Sequence, residues 1–535
     1  MAEEIEVLPD PKRLIEGLRD TGYEFNTAIA DIIDNSVAAE ATVIDVRISM
    51  DYRGNVRVSI ADNGYGMDRD GLINAMKYGS DRRPNPASLG KFGLGLKTAS
   101  TAFCRRLSVI SRNSPDAPLL EATWDLDHVA KEGKWELLLS DSPEEESIEH
   151  INDVSPEGAG TVVVWSNIDR LMRTYKDPGG RHAQSALERI VKGLGDHVAM
   201  VYQRFLDPKD KRAPNIQISL NGKAVEAWDP FCSGVSDLVG DQAVPVEMAA
   251  GKQAEFSVRA YILPRKEEFP DEESAKAAKL SNERQGIYIY RENRLIHSAD
   301  WLGMYSKEPH GTLLRVEFSF DHRLDEAFHI DIKKSQIILN EGLWTWLKDE
   351  FLTAPRREAN NRYRQGMNRK AKEKAAGSHD GSNRNIKAKE DKVDKATVTV
   401  VDPDTGDCEI TNRKGQFKLK LKVGNALKPG ELFVQPVGGL DDNALFEPAI
   451  IDGHQAVRIN TSHPYYHKVY MPNLSKGVTI QGMDSLLWGL CVAELSTISD
   501  ATAKHFEEMR FEVSRLLRKL VEDLPDPEID EDAAT

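Results

Sequence analysis

The sequence predicts an α+β protein of several domains, and three observations lead to this prediction. Helical and strand patterns alternate from residue 25 to about 195, as in an α/β sandwich. A β-rich block follows, in which residues 215–223 and 286–296 have the pattern of hairpins. A basic segment then precedes a mixed β/helical region. The expected parts are 1–24 as an N-terminal strap, 25–195, 196–355, a flexible basic linker over 356–395, a C-terminal domain over 396–525 and an acidic tail over 526–535.

Composition limits the class of protein. The chain has 535 residues, of which 40 % are hydrophobic and 29 % are charged, with a net charge of −16. These values are typical of a globular protein with room for about three cores. The sequence contains no run of 18 apolar residues and begins with acidic residues, so we expect a cytoplasmic protein without a membrane segment. The four cysteines lie far apart, which predicts neither a disulfide framework nor a zinc site.

The first motif lies on a predicted helix over residues 25–39. Thr27, Asp31 and Asn35 recur at i, i+4 and i+8 and share one face, while the isoleucines of this helix turn to the other side. Asp34 adds a second carboxylate close to this face. Oxygen groups of this kind suit Mg²⁺, and a carboxylate beside the ion can orient or deprotonate a water molecule. The alternative is a helix whose polar residues simply face solvent.

The second motif ends the strand that follows. Val56, Val58 and Ile60 alternate inward, and Asp62, two residues later, lies on the same face of the strand at the edge of the core. Its carboxylate can accept a hydrogen bond from an exocyclic amine such as that of adenine. The glycines after it, Gly64 and Gly66, let the backbone turn away and a flat ring approach. The same D-N-G sequence also favours an ordinary Asx turn.

The third motif is the glycine-rich segment of residues 90–98. It is not a P-loop, because Leu96 separates the second glycine, Gly95, from Lys97. It is not a dinucleotide fingerprint either, because Thr98 stands where a third glycine is needed. Glycines that lead into a helix N-terminus still suit phosphates, although an ordinary turn has the same composition. Three such motifs in this order predict an ATP pocket.

Together these motifs resemble those of the GHKL ATPase family, which has the Bergerat fold, over the first ~170 residues. The resemblance implies ATP and Mg²⁺ as cofactors, with Asn35 as the metal ligand and Asp62 as the adenine anchor. Asp31 stands where the family usually has a glutamate general base, so turnover is expected to be slow. The resemblance also implies that Thr161 assists adenine recognition. The predicted nucleotide-binding residues are Asp34, Asn35, Asp62, Gly64, Gly66, Met67, Gly90, Lys91, Phe92, Gly93, Leu94, Gly95, Leu96, Lys97 and Thr161.

The β-rich block indicates the branch of the family. Residues 286–296 are similar to a hairpin of MORC proteins, and residues 329–337 are similar to the transducer segment that sends a lysine to the γ-phosphate. Lys334 is the expected catalytic lysine, with Lys333 as the alternative. The resemblance to MORC and MutL proteins implies an ATP-dependent homodimer, with residues 1–24 as a strap exchanged between protomers. No histidine precedes the pocket, which argues against a histidine kinase.

The segment of residues 356–395 carries 13 basic and six acidic side chains. Such a segment can track the phosphates of duplex DNA, or it can be a solvated tether. We therefore expect a slow ATPase that acts as a dimeric clamp on DNA in genome or antiviral defence. The alternatives are a chaperone-like remodeller with a protein partner, and a regulatory module that binds ATP with negligible hydrolysis. A metal site at His463 and His467 is not expected, because no acidic or cysteine partner is placed beside them.

Overall fold

The structure is a computed structural model with two compact units, residues 1–359 and 360–535. It describes residues 10–20, 22–80, 87–89, 95–156, 158–247, 253–325, 327–328, 341–375, 377–440, 444–474, 476–496, 499–522 and 524, with the backbone alone for residues 341, 367–375 and 500. The predicted Gly90, Lys91, Phe92, Gly93, Leu94, Lys333 and Lys334 lie outside the described residues, as do the acidic tail of residues 526–535 and the first nine residues of the predicted strap.

The first unit is built on a sheet of eight strands in the order β5-β4-β3-β6-β2-β1-β7-β8. Its strands are β1 (Val43–Met50), β2 (Val56–Asp62), β3 (Cys104–Arg112), β4 (Leu120–Asp125), β5 (Leu138–Ser140), β6 (Gly160–Ile168), β7 (Gln217–Leu220) and β8 (Lys223–Ala224). All pairs are antiparallel except β1 with β7. The hairpin predicted at residues 215–223 therefore forms, but it extends this first sheet instead of the later β-rich block.

Helices cover this sheet. They are α1 (Pro11–Arg19), α2 (Phe25–Ala38), α3 (Arg69–Met76), α4 (Gly95–Thr101), α5 (Leu126–Glu132), α6 (Glu145–Val154), α7 (Arg181–Val201) and α8 (Gln203–Leu206). The isoleucines of α2, Ile29, Ile32 and Ile33, are at most 1 % exposed and join the main core, as their spacing predicts. Arg19 of α1 donates from Nε to the carbonyl of Thr101 over 2.8 Å and pairs with Asp169, so this part of the predicted strap packs on its own domain.

A second sheet of five strands completes the first unit, in the order β12-β11-β13-β10-β9. Its strands are β9 (Asp237–Glu247), β10 (Gln253–Ile262), β11 (Gly286–Arg291), β12 (Arg294–Asp300) and β13 (Leu314–Phe320), accompanied by α9 (Glu272–Ala277) and α10 (Glu341–Thr345). The predicted hairpin is thus confirmed as β11 and β12. Its two turn residues, Glu292 and Asn293, have φ values of 48° and 66°, as a two-residue type I′ turn requires.

Helix α11 (Thr353–Ala375) follows, and the second unit contains α12 (Asp380–Lys387) and two small sheets. One sheet has the order β14-β15-β16, and the other has the order β17-β19-β20-β18. These strands are β14 (Thr397–Asp402), β15 (Asp407–Asn412), β16 (Gly415–Lys420), β17 (Lys422–Gly424), β18 (Val434–Val437), β19 (Phe446–Ile451) and β20 (His454–Asn460), followed by α13 (Gly477–Glu494) and α14 (Asp500–Leu520).

The structure differs here from the flexible linker expected over residues 356–395. His379 and Ser382 are at most 1 % exposed, and both contact the buried carboxylate of Asp484, at 2.7 and 2.5 Å. A buried carboxylate needs such partners, so this polar sequence is held inside a core although its composition is that of a linker. The side chain of His463 is also buried, and its Nε2 atom lies 3.1 Å from the Ser514 carbonyl, which is a structural role.

Two further features of the whole chain are relevant. All four cysteines are free, and Cys104, Cys408 and Cys491 are buried. Among the residues that the structure describes, no helix has both the length and the apolar composition needed to cross a membrane.

Candidate functional site

One side of α2 carries the first predicted site residues. Asp31 is 5 % exposed, and the Tyr23 hydroxyl donates a hydrogen bond to its Oδ2 atom over 3.0 Å. Asn35 lies one turn later and donates from Nδ2 to the carbonyl oxygen of Asp31 over 3.0 Å. This bond identifies Oδ1 as the acceptor atom of the Asn35 amide. The helix therefore brings a carboxylate and an amide oxygen together, which is a donor set that suits Mg²⁺.

The carboxylate of Asp62 lies at the end of β2 and is 4 % exposed. The Ser36 hydroxyl donates to its Oδ2 atom over 2.7 Å, and the Gly64 amide donates to Oδ1 over 2.9 Å. Burial raises the pKa of Asp62 to about 6, although both hydrogen bonds act in the opposite direction. The Ser36 hydroxyl and the Gly64 amide are neutral donors, so an additional donor from a ligand would stabilise the charged form of Asp62.

Strand register places two hydroxyl groups beside Asp62. Thr161 on β6 pairs with Asp62 on one side and with Ser111 of β3 on the other. The hydroxyls of Thr161 and Ser111 lie 2.9 Å apart, and Ser111 Oγ also accepts a hydrogen bond from the Met67 amide over 2.8 Å. Asp62, Thr161 and Ser111 thus form a polar row across three neighbouring strands. The sequence motifs identified Asp62, Thr161 and Met67 but missed Ser111, because a serine inside a strand carries no local signal.

The two glycines after Asp62 are required by close contacts. A Cβ atom at Gly64 would lie 2.7 Å from the carbonyl oxygen of Ala39. Gly66 has a φ of 62°, and a Cβ atom there would lie 1.9 Å from the carbonyl oxygen of Arg112. Both positions therefore exclude a side chain, and Gly66 also needs the left-handed backbone conformation. The two glycines let the backbone run close to Asp62, Thr161 and Ser111, where the Met67 amide donates its hydrogen bond to Ser111 Oγ.

Helix α4 begins close to Asp31. A Cβ atom at Gly95 would lie 3.5 Å from Asp31 Oδ2, so the start of α4 faces this carboxylate. Leu96 is half-buried, and Lys97 is 1 % exposed. The ammonium group of Lys97 donates to the carbonyl oxygen of Ala75, at the end of α3, over 2.9 Å. In this structure Lys97 thus holds α4 against α3.

Comparison with known proteins is consistent with this geometry. Residues 23–161, which contain the helix, the polar row and the start of α4, match the family model for histidine kinase-, DNA gyrase B- and HSP90-like ATPases. Residues 23–161 form a GHKL-type ATPase domain. The α+β fold around it is of the Bergerat type, as the sequence predicts.

Among curated proteins, this chain is similar to proteins of the MORC family. The chain is 38 % identical to ATPase MORC2B of Mus musculus over 77 residues, which are 14 % of this chain and 8 % of that protein. It is 23 % identical to Protein MICRORCHIDIA 6 of Arabidopsis thaliana over 322 residues, which are 50 % of this chain and 46 % of that protein. The chain therefore spans less than half the length of both relatives.

A likeness to solved structures is weaker. The N-terminal domain of a DNA repair protein has a TM-score of 0.40 and 17 % identity, with 66 % of this chain and 98 % of that one covered.

Asp34 has surroundings that differ from those of the other predicted ligands. It is fully buried, and the Tyr202 hydroxyl lies 2.7 Å from its Oδ1 atom. Arg294, the first residue of β12, donates from Nε to the same Oδ1 atom over 3.2 Å. Asp34 therefore connects the ATPase domain to the hairpin of the second sheet, a role that the sequence motif does not indicate.

Proposed function

We propose that this protein binds ATP with Mg²⁺ and hydrolyses it slowly to ADP and phosphate. The observation that carries the proposal is the polar row of Asp62, Thr161 and Ser111, with Asp31 and Asn35 on the helix that borders it. One end of this arrangement can read a nucleobase amine, and the other end offers a carboxylate and an amide oxygen for a hydrated metal ion and a water molecule.

Each residue then has a definite task. Asp62 accepts a hydrogen bond from the exocyclic amine of adenine, and its raised pKa makes such a donor favourable. Asn35 Oδ1 would hold Mg²⁺, which would neutralise charge on the phosphates when bound. Asp31 orients or deprotonates the attacking water from its position beside the start of α4. Its side chain is one methylene shorter than the glutamate usual in the family, which supports slow turnover.

Hydrolysis and binding can be tested separately. Asp31→Asn should lower kcat by about 10²- to 10⁴-fold while the affinity for ATP changes little, because only the base is lost. Asn35→Ala should weaken Mg²⁺-dependent ATP binding by about tenfold or more, because a metal ligand is lost. Glu188→Ala removes an exposed carboxylate from α7 and serves as the matched control. Unchanged turnover in Asp31→Asn would refute the assignment of the base.

We further propose that the protein is an ATP-dependent dimer that acts on duplex DNA. The basic charge of residues 356–395 supports this, and so do Arg357 and Arg364, which are exposed on α11. Replacing both arginines by glutamine should weaken DNA binding uniformly across sequences and reduce its salt dependence by about one unit of slope for each lost phosphate contact. Replacing Lys418 and Lys420 of β16, which are also exposed, removes the same charge and serves as the control.

The dimer requires its own measurement. Light scattering after size exclusion should give twice the monomer mass with a non-hydrolysable ATP analogue, and the monomer mass without nucleotide. A constant mass under both conditions would overturn the ATP-dependent dimer. DNA-stimulated hydrolysis that disappears in Asp31→Asn would tie the two activities together, whereas hydrolysis indifferent to DNA would favour a regulatory ATP-binding module.

A further inference from the structure

A histidine and two carboxylates converge beside the turn of the β11–β12 hairpin. Glu292 belongs to this turn, and Asp321 and His322 follow directly after β13. One ligand atom from each of the three residues lies within 4.8 Å of those of the other two, and no other group of three such side chains in the described part of the chain lies as close. The side chains of Glu292, Asp321 and His322 are 23 %, 31 % and 29 % exposed, so solvent reaches all three.

Main-chain hydrogen bonds fix this group in place. The Glu292 amide donates to the Phe320 carbonyl over 3.1 Å, and the His322 amide donates to Glu292 Oε1 over 2.9 Å. The Nδ1 atom of His322 lies 2.7 Å from the same Oε1 atom. Asp321 Oδ1 accepts a hydrogen bond from the Arg323 amide over 3.0 Å. Because the backbone of both segments takes part, the three side chains are preorganised relative to one another.

This donor set suits a divalent transition-metal ion. Imidazole nitrogen is a common ligand of Zn²⁺, and carboxylate oxygens are ligands of both Zn²⁺ and Mn²⁺. Bonds from Zn²⁺ to nitrogen and oxygen are about 2.0–2.2 Å long, so two atoms on opposite sides of one ion are about 4.2 Å apart. Movements of about half an ångström would therefore bring all three side chains onto one ion.

A cavity of about 280 Å³ lies beside this group, and Glu292 and Asp321 belong to its lining. Arg204 also lines the cavity and is 1 % exposed, and its Nη1 and Nη2 atoms donate to two further lining residues, Asn293 and Ser319. Its Nε atom has no hydrogen-bond partner among the described residues. A buried N–H group without an acceptor is costly, so this one favours an oxygen atom inside the cavity. A water molecule or an anion bound to the ion would supply that oxygen.

The charges around the cavity favour a cation. Three guanidinium groups and three carboxylates contact one another at 2.6 to 3.8 Å and balance in charge; they are Arg204, Arg212, Arg259, Asp210, Asp241 and Glu317. Glu255, Glu292 and Asp321 add three carboxylates to the lining. The cation beside them is Arg323, whose Nε atom lies 3.0 and 2.9 Å from the two oxygens of Asp321. Its side chain is 51 % exposed, and an ion pair so exposed is weak, so a doubly charged ion can displace it.

We propose that Glu292, Asp321 and His322 form a binding site for one divalent transition-metal ion, Zn²⁺ or Mn²⁺. The ion joins the turn of the hairpin to the segment after β13, and its remaining coordination positions are open to the cavity. This site uses none of the residues assigned above to ATP and Mg²⁺. The inference therefore goes beyond the proposed function and does not depend on it.

Calorimetric titration of the full-length protein with ZnCl₂ and, separately, with MnCl₂ tests the proposal in the absence of nucleotide. The wild type should bind one ion per chain at this site in at least one of the two titrations. His322→Ala and Glu292→Gln should each weaken binding by about tenfold or more, because each loses a ligand. Arg323→Gln should tighten binding by about two- to fivefold, because Asp321 loses its competing cation.

Two control variants locate the ion. His297→Ala is the matched control, because His297 and Asp300 on β12 form a similar histidine–carboxylate pair at 3.0 Å. Asn35→Ala removes the residue proposed to hold Mg²⁺ with ATP. Both variants should bind Zn²⁺ or Mn²⁺ at this site as the wild type does.

The outcomes decide the proposal in either direction. A wild type that binds neither metal at millimolar concentration would overturn it. Equal binding by the wild type, His322→Ala and Glu292→Gln would also overturn it, because the ion would then lie elsewhere. If His322→Ala does not fold, the opposite effects expected for Glu292→Gln and Arg323→Gln still decide the question. Loss of ATP hydrolysis or of nucleotide binding bears on the proposed function alone, since this titration contains no nucleotide.

Discussion

Two carboxylates of the ATPase domain are almost equally buried but have different partners. Asp34 is paired with the guanidinium of Arg294, whereas the partners of Asp62 are the Ser36 hydroxyl and the Gly64 amide. A buried charge without a cation is costly and shifts its pKa, as the value of about 6 for Asp62 indicates. Asp34, which is paired with a cation, therefore stabilises the fold. Asp62, whose partners are neutral, is the carboxylate suited to a ligand.

The largest expected effect is loss of the paired cation. Arg294→Leu removes the guanidinium that faces the buried carboxylates of Asp34 and Asp31, and we expect the free energy of unfolding to fall by about 3–5 kcal/mol. Urea denaturation measures this. The double variant Arg294→Leu with Asp34→Leu should recover a large part of the loss, because it also removes the carboxylate that Arg294 contacts most closely. Additive effects of the two substitutions would contradict the pairing.

The next effect concerns the pH dependence caused by Asp62. Its pKa is about 6 in the folded protein and 3.8 as an unperturbed carboxyl, so the folded state binds the proton more tightly. This tighter proton binding contributes about 3 kcal/mol to the free energy of unfolding. The contribution is complete below pH 4 and is lost as the pH rises through 6. Asp62→Asn should remove this part of the pH dependence of unfolding. An identical pH profile for wild type and variant would contradict this prediction, because it would mean that folding does not change the pKa of Asp62.

A smaller effect separates backbone conformation from close packing. Gly66 and Gly133 have nearly equal φ values, 62° and 66°. A Cβ atom at Gly66 would collide with a carbonyl oxygen, whereas a Cβ atom at Gly133 would have no neighbour within 4 Å. Gly133→Ala should therefore cost about 1 kcal/mol from the backbone. Gly66→Ala should cost more, about 2–4 kcal/mol, and should also weaken ATP binding. Equal losses of thermal stability would show that β3 yields to the added methyl group.

The smallest effect concerns the hydroxyl that links the row beside Asp62. Ser111→Ala removes the acceptor of the Met67 amide and a partner of Thr161, so stability should fall by about 1–2 kcal/mol. Chemical denaturation measures this change. Ser114→Ala, outside the sheet on the loop after β3, serves as a control and should be almost neutral.

The sequence predicted those parts of the molecule that depend on local pattern. The period of α2, the alternation in β2 and the turn between β11 and β12 all formed as expected, since each depends on neighbours along the chain. Asp62 and Thr161 were identified by their motifs, and β-strand register then brought them together.

What the sequence did not predict depends on contacts between distant segments. The pairing of Asp34 with Arg294 spans 260 residues, and no local signal marks either residue as a partner of the other. The parallel pairing of β7 with β1 extends the first sheet, although a hairpin pattern alone does not specify which sheet it joins. The burial of His379 and Ser382 depends on Asp484, about 100 residues later, so a linker-like composition concealed a packed segment.

The free cysteines give this protein built-in chemical reporters. Burial raises the pKa of Cys104 in the first unit and of Cys491 in the second, and a thiol reacts with alkylating reagents only as the exposed thiolate. Each sulfur should therefore be modified only when its surroundings open. Peptide mapping after a pulse of reagent would measure the opening rates of strand β3 and of helix α13 separately. Added nucleotide should slow the modification of Cys104 in β3.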